Sequence, residues 1–251
     1  MYDTASYLYS LMSKLSSTTL FHFTHTFEVL VKILEEGLWP RYCVERDWGD
    51  KDLLIPMVCT CDIPLSEMTV HQKKYGKYGI GVGKGWAKRN NFTPVLYVSE
   101  RSDIFRILSN YAKEHLLQPI LPGRTSFDEE YMLHYVKRVV GTDADRESLG
   151  LPKRPKFINE REWRYVPWDI PMSFVCKGKG GTMDCSRLSR LTVNKKLKLT
   201  PDDIEYIFVE KEDEREAIIR EIHRIYEGEG QRVVDELISR VASSEQREKD
   251  F

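Results

Sequence analysis

The sequence predicts an α+β protein, and three observations lead there. Short runs with strand-like alternation, such as TLFHFT at 19–24 and IEYIFVE at 204–210, lie among segments with helical apolar spacing. The two kinds are interspersed without the regular alternation that builds a doubly wound parallel sheet. The 251 residues, 41% of them hydrophobic, suffice for one sizeable core. A single domain over 1–251 is therefore expected, with a core about 18–210, an N-terminal helix over 1–17 and C-terminal helices over 211–243.

Each element follows from its local pattern. Leu8, Leu11, Met12 and Leu15 form one apolar stripe, which predicts the first helix. TLFHFT alternates, with Leu20, His22 and Thr24 on one face and Phe21 and Phe23 on the other. Thr26 caps a following helix on which Phe27, Leu30 and Leu34 share a face, and Gly37 suits its stop. LLIPMVCTCDIP reads as a buried strand in which Pro56 demands an edge position or a bulge. Ser66 starts a helical segment through His71, and YGIGVG is a glycine-rich strand that another backbone or a ligand can approach closely. KGWAKRNN is a short helix or turn, and PVLYV a strand. Two helical patterns follow on either side of a QPILPGRTS linker: Ile104, Ile107, Leu108 and Tyr111, then Tyr131, Tyr135, Val136 and Val139. TDADRESLGLPKRP is a polar loop and CKGKGGT a glycine-rich one; LSRLTV and IEYIFVE complete the strands. Ile218, Ile222 and Ile225, and then Val233, Leu237 and Val241, mark two closing helices before a fraying tail.

Charge and cysteine content narrow the function classes. The formal charge is -1, from 38 basic and 39 acidic side chains, so nucleic acid or an anionic membrane has only local patches to hold. Those are Lys153, Arg154 and Lys156, and Arg187, Arg190, Lys195, Lys196 and Lys198, and a solvated face is the better explanation of both. No run of 18 apolar residues and no signal peptide occurs, which predicts a cytoplasmic protein with no membrane contact. Five cysteines without zinc spacing read as reduced thiols, and no metal site is expected. YGKYGIGVGKG satisfies neither the Walker nor the dinucleotide-binding pattern, and there is no GxSxG or HExxH.

The stretch INEREWRYVP, 158–167, carries the most chemistry. Read as a strand, it places Phe157, Asn159, Arg161, Trp163 and Tyr165 on one face and Ile158, Glu160, Glu162, Arg164 and Val166 on the other. Glu160 and Glu162 then stand about 6.6 Å apart, within reach of one sugar-sized ligand. An ordinary solvated face with a weak Glu162–Arg164 pair fits the same pattern.

The blocks FHFTHTFEVLVKILEEGLWPRYC, IPMVCTCDIPLS, HQKKYGKYGIGVGKGWAKRN with PVLYV, and KFINEREWRYVP resemble, in order, those of the AbiGi-type abortive-infection family, described as the antitoxin member of a bacterial phage-resistance system; DDIEYIFVEKEDE is a weaker echo. A more distant resemblance is to ADP-ribosyltransferases of the DarT kind, whose first strand carries His-x-Thr, as His22-Phe23-Thr24 does here, and many of which carry a late Glu-x-Glu, as Glu160-Arg161-Glu162 does. The second resemblance implies a split-sheet core with added peripheral helices, and NAD as substrate. Glu162 would face the oxocarbenium-like ribose and Glu160 would orient the acceptor. His22 and Thr24 would grip the nicotinamide end, Tyr75 or Tyr78 would stack on its ring, and Arg164 would hold the carboxylates or a phosphate. The first implies a role in phage defence and a cognate toxin or defence protein as partner. A non-catalytic antitoxin that binds its toxin, or DNA through the basic loops, is the alternative.

Overall fold

The computed structural model describes residues 17–45, 52–116, 131–170, 174–176 and 188–246. The expected N-terminal stripe, the QPILPGRTS linker and the glycine-rich loop after Cys176 lie outside them. In chain order the strands are β1 Thr19–Thr24, β2 Arg41–Glu45, β3 Asp52–Cys61, β4 Tyr78–Gly83, β5 Thr93–Pro94, β6 Leu96–Val98, β7 Val136–Arg138, β8 Glu162–Tyr165, β9 Phe174–Cys176, β10 Ile204–Val209 and β11 Val241–Ser243. The α-helices are α1 Phe27–Glu36, α2 Met68–Tyr75, α3 Lys84–Arg89, α4 Asp103–Tyr111, α5 Asp143–Ser148, α6 Arg215–Ile225 and α7 Gln231–Ser239. The protein is thus α+β, and most of its strand pairs are antiparallel, while β10–β11 and β6–β7 are parallel. The chain divides into two compact units, one of Met1–Leu38, Thr60–Asn91 and Leu197–Phe251, the other of Trp39–Cys59 and Phe92–Lys196.

In the first unit the sheet order is β11-β10-β4-β1. Strand β1 runs antiparallel to β4 from Thr19↔Gly83 to Thr24↔Tyr78. The glycines of β4 let aromatic rings lie flat across it: a Cβ on Gly81 would stand 2.9 Å from the Phe21 ring, and one on Gly79 2.9 Å from the Phe23 ring. Phe21 then packs with Cys61, Ile63, Met68 and Phe208. Helix α1 lies against β4 and α6. It begins as its sequence predicts, with the Thr26 hydroxyl accepting the Val29 N–H at 3.3 Å, and buries Leu30, Ile33 and Leu34. Each such aliphatic side chain stabilises the fold by about 2 kcal/mol on leaving water. The helix stops at Gly37, where φ is +90° and an added Cβ would lie 2.3 Å from the Leu197 carbonyl oxygen. That close approach lets Leu38 and Leu197 form a two-way bridge, with N–H···O distances of 2.9 and 2.8 Å.

In the second unit β3, through Cys59, pairs antiparallel with β2 and with β9 and neighbours β8, while β8 pairs with β5. The described pairing with β9 runs from Asp52↔Cys176 to Leu54↔Phe174. The core joins Leu53, Ile55, Met57, Val98, Ala112, Leu133, Val136 and Val166, with Phe105 and Leu108 of α4 packed on it.

Several expected elements differ. Helix α4 forms, but Phe105 and Leu108 face the core whereas Ile104 and Ile107 are exposed. The helical pattern of 131–139 gives way to strand β7, because Val136, Lys137 and Arg138 pair with Leu96, Tyr97 and Val98. The polar loop at 142 contains α5, started by a reciprocal Thr142–Asp145 capping box. LSRLTV is not a strand: Ser189–Lys195 form a 3-10 helix. Ser66 does not cap α2; it lies inside the 3-10 turn Leu65–Glu67 that precedes the helix. Val241 leaves the last helix to start β11, where it pairs with Ile207.

Gly37→Ala should lower the unfolding free energy by at least about 1 kcal/mol, since any Cβ meets both an unfavourable positive φ and the Leu197 carbonyl. Urea denaturation measures this; an unchanged midpoint would contradict the close packing.

Candidate functional site

The two glutamates of the INEREWRYVP stretch meet, but not on one strand. Phe157–Glu160 form a 3-10 turn, Arg161 adopts a left-handed conformation (φ 46°, ψ 50°), and β8 begins only at Glu162. The alternation expected from 157 onward is therefore corrected by the kink at Arg161, a residue whose Cβ makes this conformation cost about 1 kcal/mol. Its consequence is convergence: Glu160 and Glu162 both reach the Lys137 Nζ, at 3.2 and 2.7 Å.

The neighbouring strands fix this meeting. Ile158 donates its N–H to the Val139 carbonyl at 3.3 Å, which sets the 3-10 turn beside the end of β7. Tyr97 of β6 lies opposite Lys137, and its hydroxyl accepts the Glu162 N–H at 2.8 Å, while the Glu162 carbonyl accepts the Val95 N–H at 2.9 Å. The Lys137 ammonium also rests over the Phe157 ring, 4.3 Å from its centre.

Arg164 completes the cluster and is wholly buried. Its Nε donates to the Glu162 Oε1 at 2.5 Å, Nη2 to the Glu162 Oε2 at 3.3 Å, and Nη1 to the His134 carbonyl at 2.7 Å. Nη2 also pairs with Glu45 at the end of β2. Both oxygens of Glu162, a residue 5% exposed, are thus occupied by protein donors. The solvated face that its alternation suggested is in fact an interior one.

Electrostatics follow from this packing. Burial alone would raise the Glu162 carboxyl, but the charges and hydrogen bonds of Arg164 and Lys137 outweigh it and hold the group well below the carboxylate range. Burial would likewise favour a neutral Lys137, yet Glu162, Glu160 and Glu45 keep it charged. His134 behaves oppositely: burial, then the Arg164 charge, lower it to about 4 against the Tyr131 carbonyl, which pulls upward. Its Nδ1, 3.1 Å from that carbonyl, must carry the proton, and its buried Nε2 has no hydrogen-bond partner among the described residues.

The other predicted residues lie in the first unit. His22 and Thr24 stand on β1, opposite Ile80 and Tyr78 of β4. Tyr78 is buried, edge-on to Phe27, and its hydroxyl donates to the Glu214 Oε1 at 2.7 Å; burial and then that carboxylate raise its pKa. Tyr75 ends α2 with its ring 6.4 Å from that of His71. Structure therefore gathers Thr24 with Tyr78 in one unit, and Glu160, Glu162 and Arg164 in the other. Sequence reasoning missed Glu45, Tyr97, His134 and Lys137. A signal existed for Lys137: a cation inside the apolar run YVKRVV needs a buried counter-charge.

Two outcomes follow. Acidification from pH 6.5 toward 4.5 should destabilise the wild type by about 2 kcal/mol through His134, because the unfolded chain takes up a proton there that the folded chain refuses. Below about 4.5 Glu162 adds a further loss in the same direction, since its depressed carboxyl resists protonation only when folded. In His134→Gln the first component should vanish in pH-dependent urea melts; an identical slope in both proteins would place it elsewhere. Separately, Arg161→Val should destabilise by about 1 kcal/mol or more, as a β-branched side chain fits the left-handed region poorly.

Among the described residues, no helix is long and apolar enough to cross a membrane. No solved structure matches this chain. A curated protein of Lactococcus lactis subsp. cremoris, "Abortive phage resistance protein AbiGi", is 30% identical over 203 residues, which cover 71% of this chain and 80% of that protein. A family model described as "Putative abortive phage resistance protein AbiGi, antitoxin" matches residues 37–210, a span that contains the whole Glu160–Glu162–Arg164 cluster. The chain belongs to the AbiGi family of abortive phage resistance proteins.

Proposed function

We propose that this chain serves abortive phage resistance as an antitoxin that restrains a cognate toxin by protein contact, and that Glu160, Glu162, Arg164 and Lys137 form its internal brace. The family supports the role. The observation that carries the non-catalytic reading is the occupancy of Glu162: its oxygens are held by Arg164 at 2.5 Å and Lys137 at 2.7 Å, so a ribose hydroxyl would have to displace a buried cation to reach it.

A second reading is a transferase with a split-sheet, ADP-ribosyltransferase-like fold that binds NAD through His22, Thr24 and Tyr75 or Tyr78. One observation favours it: Glu162 is held ionised, as a carboxylate facing an oxocarbenium-like ribose must be. Nucleic-acid binding through the basic loops belongs to neither reading's central chemistry.

The two separate in one experiment. Purified chain is incubated with labelled NAD and, in parallel, titrated into its purified cognate toxin, using wild type and Glu160→Gln, which loses one contact of the cluster. The antitoxin reading expects a stable complex with both proteins and no nicotinamide release from either. Nicotinamide release by the wild type that is lost in a folded Glu160→Gln protein would establish the transferase instead.

A further inference from the structure

Two thiols meet inside the second unit, beside the brace but outside its ion pairs. Cys43 lies on β2 and Cys59 on β3, both half-buried and both packed against the core that contains Leu53, Ile55 and Met57. The register sets Cys43 opposite Ile55, and Cys59 stands four residues further along β3, on the same face. The curvature of that face closes the gap. Arg164 of β8 pairs with Glu45 of β2 although both strands lie against β3, so side chains carried by different strands converge above it. Cys43 and Cys59 converge in the same way, and the Cys59 thiol donates a hydrogen bond to the Cys43 sulfur. Cys43 in turn donates to the Arg41 carbonyl at 3.5 Å. This environment makes the two sulfurs unlike. The hydrogen bond from Cys59 pulls the Cys43 thiol below the ordinary range, against burial and the charge of Glu45, while Arg164 acts in the same downward direction. That hydrogen bond, and then burial, push Cys59 up. The shared proton therefore stays on Cys59, and thiolate character, the form of sulfur that attacks, gathers on Cys43.

We propose that Cys43 and Cys59 form a redox-modification site whose oxidant is a hydroperoxide, with Cys43 the sulfur that reacts first and Cys59 the one that resolves it. Geometry carries the assignment: two thiols in contact, on separate strands of one sheet, each partly open to solvent. In the first step the Cys43 thiolate attacks the outer peroxide oxygen; the S–O bond forms, the O–O bond breaks, and the departing alkoxide or hydroxide takes up a proton. Cys43 is then a sulfenic acid. In the second step Cys59 gives up its proton and attacks that sulfur; the S–S bond forms, the S–O bond breaks, and water leaves. Together the two thiols lose two electrons, and the peroxide is reduced to water and an alcohol or a second water. Closure draws β2 and β3 together, because the sulfurs start at hydrogen-bonding and not at bonding distance. A disulfide closed against that displacement is easily reduced, so the modification is reversible. Cys61 supplies the contrast within the same strand: its thiol is buried and donates to the Phe21 carbonyl at 3.4 Å. The site is independent of whether the chain acts as an antitoxin or a transferase.

The test uses the full chain carrying Cys176→Ser and Cys185→Ser, so that only Cys43, Cys59 and Cys61 remain. Folded protein is treated with hydrogen peroxide, digested without reduction and read by mass spectrometry. A peptide pair joined through Cys43 and Cys59 is expected, and dithiothreitol should separate it. With Cys59→Ser added, Cys43 should instead accumulate as a sulfenic acid that dimedone traps; with Cys43→Ser added, neither product should form. Before any oxidation, iodoacetamide should alkylate Cys43 at least about tenfold faster than Cys61. That comparison is made with all three sulfurs in place, so it holds even where a serine variant melts early. Equal alkylation rates, or a joined peptide in which Cys61 replaces either partner, would overturn the assignment. Dimedone label on Cys43 in the Cys59→Ser chain with no joined peptide in the parent would remove the resolving role of Cys59 and with it the paired site.

Discussion

Buried Arg164 and half-buried Lys137 lie among the carboxylates of Glu160, Glu162 and Glu45, and the second unit is organised around keeping both cations paired. A buried cation without its counter-charge costs several kcal/mol, which no nearby packing can offset. Every element that supplies a member is therefore fixed by the others. Strand β7 supplies Lys137, β8 supplies Glu162 and Arg164, the 3-10 turn supplies Glu160, and β2 ends at Glu45. The kink at Arg161 follows from this constraint: a continuous strand would carry Glu160 away from Glu162 along the chain, whereas the left-handed residue folds it back to the same ammonium.

This matching also explains what the cluster can and cannot do chemically. Glu162 stays ionised because Arg164 and Lys137 overcome the penalty of its burial, and that same engagement leaves neither oxygen open. An interior ion network is a poor nucleophile or base but an effective means of specifying one arrangement of strands, a use of buried charge that is attested elsewhere for register. His134 reinforces the arrangement through its backbone carbonyl while its ring remains neutral beside Arg164. Activity by protein contact is compatible with a core of this kind.

What was legible in the sequence was local. Thr26, the Leu30–Leu34 spacing and Gly37 define α1 because cap, stripe and stop all act within a few residues. TLFHFT and IEYIFV alternate because each has one face on a core, and the β4 glycines announced a close approach that Phe21 and Phe23 make. Illegible features depend on distant partners. Tyr131–Val139 has helical spacing, yet Val136–Arg138 are claimed by β6. LSRLTV alternates, yet Thr192 is held by Trp39 and Pro40, more than a hundred residues earlier. Of the candidate site, the pairing of Glu162 with Arg164 was readable from parity, and their burial was not, because the carboxylate and the cation that make it tolerable, Glu45 and Lys137, come from β2 and β7.

The account stands most directly on the coupling between Glu162 and Lys137. A double-mutant cycle with Glu162→Gln, Lys137→Met and the double variant, followed by urea denaturation at neutral pH, measures it. A coupling of about 2 kcal/mol or more, with the double variant less destabilised than the sum of the singles, is predicted for a buried structural pair. Additive effects, with a coupling within about 0.5 kcal/mol of zero, would contradict the view that this cluster holds the unit together.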